Sequence, residues 1–82
     1  MMEKEKVEAK VKKTIAKVLK KEENEIASDA NFIFDLGADS MQSLQLIAGF
    51  EEEFDIEMDE DGALEIQNVK DAVDFISEIV NK

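Results

Sequence analysis

Apolar residues return every three or four positions in three separate stretches of this chain, a spacing that belongs to helices with one buried face. Val7, Val11, Ile15, Val18 and Leu19 make the first stripe, leaving Lys6, Lys10, Lys13, Lys17 and Lys20 for water. Leu44, Ile47, Phe50 and Phe54 make the second, with Leu46 beside them and Gln42, Gln45, Gly49, Glu52 and Glu53 on the opposite face. Val69, Ala72, Val73, Ile76, Ile79 and Val80 make the third, with Phe75 alongside. No stretch alternates as a strand does, and the chain has no Pro to interrupt a helix. The expected fold is all-α: a small antiparallel bundle of three main helices, with a short third helix suggested by Ala63, Leu64 and Ile66 before the last one. Residues 1–82 are expected to form a single domain, one that buries roughly 60% of the surface its unfolded chain exposes.

Local signals set the helix ends. Glu3, Glu5 and Glu8 lie near the start of the first helix and Lys17, Lys20 and Lys21 near its end, the arrangement that the helix dipole favours. Asn68 is the expected N-cap of the last helix, with Asp71 in its first turn. Between Glu22 and Asp39 the periodicity is lost, and Asn24, Ser28, Asp29 and Asn31 are residues that bond back to their own backbone in turns. This long loop should be pinned by Ile26, Phe32, Ile33 and Leu36. Phe34 reads two ways, as a further core anchor or as an exposed contact.

At the centre of the chain stands Asp35-Leu36-Gly37-Ala38-Asp39-Ser40-Met41. Gly37 breaks regular structure, and Asp39 can cap a helix by accepting from the Gln42 N–H while Gln42 reaches back, a variant of the capping box. The second helix should run from about Ser40 to Phe54. Ser40 then occupies the first helical position, where unpaired N–H groups and the helix dipole favour a phosphate ester. By residues alone, capping chemistry explains this serine better than a covalent modification does.

The motif Asp-Leu-Gly-Ala-Asp-Ser, a hydrophobic residue, and then an amphipathic helix ending Glu51-Glu52-Glu53-Phe54 resembles the acyl carrier protein family, over nearly the whole chain. The resemblance implies a 4'-phosphopantetheine arm on Ser40, flanked by Asp39 and by Met41, which stands where Leu is usual and conserves its volume. It implies docking of acidic residues onto basic patches of partner enzymes. Asp39, Glu51, Glu52 and Glu53 match that pattern, whereas Gln42 and Gln45 are neutral where acids are frequent. It also implies an acyl-sheltering space lined by Leu46, Ile47, Phe50, Met58, Ala63, Ile66 and Phe75. The implied partners are a phosphopantetheinyl transferase (holo-acyl-carrier-protein synthase) and fatty acid synthase or related polyketide or lipid enzymes, served by a monomer.

Composition narrows the field from the other side. Without His or Cys, neither Ser-His-Asp nor Cys-His catalysis can be assembled and the usual zinc ligands are missing, so the chain is not expected to be an enzyme. A net charge of -11 argues against nucleic acid. Charge is uneven: residues 1–21 hold eight of the ten Lys against three Glu, and residues 22–82 hold two Lys against eighteen acids. Neither a membrane span nor a signal peptide is expected, and a cytoplasmic location is the natural assignment.

One rival reading comes from the acidic stretch after Phe54. Glu57, Asp59, Asp61, Gly62 and Leu64 match positions 1, 3, 5, 6 and 8 of a calcium-binding helix-loop-helix. Glu57 instead of Asp at the first position and Asn68 instead of Glu at the twelfth count against it. No specific metal site is expected, only loose association of divalent cations. An acidic adaptor with an unmodified serine is the other alternative.

Overall fold

A computed structural model describes residues 3–58 and 60–81, with backbone only at residues 60 and 64. Among them lie α1 (Lys4–Leu19), a 3-10 turn (Glu23–Glu25), α2 (Ser40–Phe54), α3 (Glu60–Glu65) and α4 (Val69–Val80), and no strand. The extent of α2 and the short α3 are as the sequence predicts; the 3-10 turn is an addition inside the long loop. Both α1 and α2 end on residues in the left-handed region, Lys20 at φ 56° and Asp55 at φ 54°. Neither is Gly. The terminal carbonyls are nonetheless used: Lys20 and Lys21 donate to Ala16, and Asp55 and Ile56 to Glu51.

The core forms where α1 packs against both α2 and α4. Val7, Val11 and Ile15 of α1 meet Leu46 and Phe50 of α2 and Val69, Ala72, Val73 and Ile76 of α4, all buried. Ile26, Ala30, Phe32, Leu36 and Ala38 bring the loop into the same core, and the Phe32 and Phe50 rings sit tilted with centroids 6.4 Å apart. Val18, Leu19, Ile79 and Val80, at the ends of their stripes, are half-buried.

Three expectations are corrected. Leu44 is exposed, because two residues of helix place it about 200° from the buried Leu46. Gly49, expected on the outer face, lies against α1, with Thr14 and Val18 as its neighbours. Ile33, expected to pin the loop, is exposed, and Ala30 and Ala38 are buried in the loop instead.

Polar bonds secure the loop. Asn31 Oδ1 accepts from the N–H groups of Ile33 (2.9 Å) and Phe34 (3.0 Å), and Asn31 N–H donates to Asp35 Oδ2 at 2.7 Å. Asn31 also pairs antiparallel with Asn68 as an isolated bridge. Phe32 N–H donates to Gln67 O and Val69 N–H to Ala30 O, both at 3.0 Å, so the loop is joined to the start of α4.

Candidate cofactor-attachment site

Gly37 takes φ +74°, a left-handed conformation with open space where a side chain would stand. The turn it makes delivers the chain to Asp39. There the capping box forms as expected: Gln42 N–H donates to Asp39 Oδ1 at 2.7 Å, and Asp39 N–H donates to Gln42 Oε1 at 3.1 Å. Ser40 is the first residue of α2 and is exposed. Among the described residues no group is bonded to its hydroxyl.

Beside that hydroxyl runs a groove of about 640 Å³. From α2, Ser40, Ser43, Leu44 and Ile47 line it; from the loop, residues 31–34; from α3 and the segment after it, Ala63, Ile66 and Gln67. Of the residues predicted for an acyl space, Ile47, Ala63 and Ile66 are in this lining. Leu46 and Phe50 are instead fully buried in the core, on the face of α2 that turns to α1. Met58 and Phe75 are half-buried against the core and not part of the groove. Sequence reasoning missed Leu44, Ser43, Gln67 and the loop residues other than Phe34, whose reading as an exposed contact holds. The available signal was proximity: Ile33 and Phe34 lie only six or seven positions before Ser40.

The predicted docking residues separate into two groups. Gln45, Glu52 and Glu53 are exposed. Glu51 is half-buried, and its Oε2 accepts from Met58 N–H at 3.1 Å, tying down the chain that leaves α2. Asp39 is exposed and Gln42 half-buried, and both are engaged in the cap. Phe34 is exposed on the rim of the groove.

The calcium reading finds no support here. Residues 60–65, which should be loop, are helical. Asp59 and the Leu64 side chain lie outside the described residues, and among those described no three acidic side chains converge to hold an ion.

An exposed, unbonded serine hydroxyl at a helix start, opening on an apolar groove, fits a tethered arm. A family model described as the phosphopantetheine attachment site matches residues 9–76. The chain is also 48% identical over 71 residues to the acyl carrier proteins of Nitratidesulfovibrio vulgaris strains DP4 and Hildenborough, covering 87% of this chain and 93% of each relative. This chain belongs to the acyl carrier protein family. The cofactor of the family, and so of this member, is 4'-phosphopantetheine. The whole Asp35–Ser40 motif falls inside the matched segment. No helix among the described residues is long and apolar enough to cross a membrane.

Proposed function

We propose that this chain carries acyl intermediates on a 4'-phosphopantetheine arm attached at Ser40 and presents them to the enzymes of fatty acid synthesis or of a related polyketide or lipid pathway. The supporting observation is the exposed Ser40 hydroxyl at the mouth of α2, beside an apolar groove. When bound, the arm supplies the thiol that the protein lacks and holds the acyl group as a thioester. The chain itself provides the mount. Asp39 and Gln42 fix the start of α2, Gly37 makes the turn that leads into it, and Ile47, Ala63 and Ile66 offer apolar surface to cargo. Residues 1–82 act as one domain, a monomer in the cytoplasm, with no catalysis of their own.

Partners are a phosphopantetheinyl transferase and acyl-handling enzymes. A net charge of -11, with Glu52 and Glu53 free on α2, steers the carrier towards basic surfaces and speeds encounter more than it strengthens binding. Such a carrier releases quickly.

Incubation with a phosphopantetheinyl transferase and coenzyme A tests this reading by intact mass. The wild-type chain should gain a single phosphopantetheine mass, Ser40→Ala none, and Ser43→Ala the same gain as wild type. A wild-type chain whose mass never changes would refute the assignment.

A further inference from the structure

Ile33 (53% exposed), Phe34 (87%), Met41 (69%) and Leu44 (68%) are the large apolar side chains left exposed among the described residues. All four lie within seven positions of Ser40 in the chain. Ile33, Phe34 and Leu44 are on the groove, whereas Met41 is outside its lining, turned about 100° around the helix from Ser40. Cargo lying in the groove therefore cannot cover Met41. A macromolecular surface is of the size to cover the patch on both sides of the hydroxyl at once.

We propose that Phe34 is an apolar anchor that seats in an apolar, Lys- or Arg-rimmed cleft of the enzymes acting at Ser40. This rests on the carrier reading, since an enzyme reaching the Ser40 hydroxyl must close over its surroundings. The chemistry of the partner follows from charge: the first turns of α2 present neutral Gln42 and Gln45, while the exposed carboxylates of Asp35 and Asp39 border the patch. An apolar centre with a basic edge complements that pattern. Preorganisation favours the role as well. The Phe34 backbone is held by Asn31 Oδ1, and Asn31 is paired with Asn68, so little backbone freedom is lost when the ring docks. Long-range charge then governs association, and Phe34 governs dissociation.

The test uses a phosphopantetheinyl transferase that loads the wild-type chain. Its binding to the apo chain is followed by surface plasmon resonance at about 0.1 M and about 1 M salt, between which the Debye length falls from about 10 to about 3 Å. Phe34→Ser should raise the dissociation rate about tenfold at both salt concentrations, with association changed less than about twofold. Phe34→Leu should stay within about threefold of wild type. Matching thermal melts check that the variants fold. A Phe34→Ser chain that dissociates at the wild-type rate overturns the proposal. So does sedimentation of the wild type as a dimer that Phe34→Ser dissolves, because the patch would then be covered by a second copy. Failure of the wild type to gain phosphopantetheine mass removes the carrier reading itself, a separate result.

Discussion

A hydrogen in place of a methyl group at position 49 sets how closely α2 approaches α1. A Cβ there would stand 2.8 Å from Thr14 Cγ2, inside any ordinary carbon contact. Thr14 cannot easily turn away: it is buried, its branched χ1 is stiff, and its Oγ1 donates to Lys10 O at 2.9 Å. Overpacking costs about 1–3 kcal/mol, and removing Gly from a helix interior returns about 1 kcal/mol. Gly49→Ala should therefore be neutral to about 2 kcal/mol destabilising in urea unfolding. In a Thr14→Ser background, where Cγ2 is gone, the same change should stabilise by up to about 1 kcal/mol. Equal effects in the two backgrounds would dismiss the contact. Sequence reading put Gly49 on the outer face because it took Leu44 as the marker of the buried side. With Leu46 and Phe50 as the markers, the phase turns and Gly49 meets α1.

At the scale of elements, the structure agrees best with the sequence where the responsible forces are local. The Asp39 cap, its partner Gln42 and the Asn68 cap of α4 all involve groups three residues apart, and each forms as expected; Asn68 Oδ1 accepts from Asp71 N–H at 2.7 Å. Asn68→Ala should cost about 1 kcal/mol, read as a fall of about 4–8 °C in Tm with the urea m-value unchanged. An unaltered Tm would mean that the cap is dispensable. The joining of Ala30 and Phe32 to Gln67 and Val69 was not legible, because it pairs backbone groups far apart in sequence and backbone groups carry no residue signature. The left-handed ends at Lys20 and Asp55 were hidden for a related reason, since neither position has the Gly that normally announces one.

For the molecule as a whole, the three apolar stripes were enough to foresee a helical bundle, but not to foresee its groove, which depends on how a loop, α2 and α3 come together. Charge acts at this scale too. Ten acids and no basic residue lie between Asp35 and Asp61, and screening their mutual repulsion favours the compact state. Tm should rise smoothly with added NaCl or CaCl2. Calorimetry should show no break at one equivalent of calcium, and a stoichiometric uptake surviving high salt would revive the helix-loop-helix alternative. The bonds between the loop and the start of α4 carry one more consequence. They fix that wall of the groove, while α3, which contributes Ala63 to the lining, has only six residues, too few to persist without its packing. On the proposed role of the groove, a bulkier guest should make its room by displacing that small helix and not the stitched seam, so α3 is where the tolerated length of cargo should be gauged.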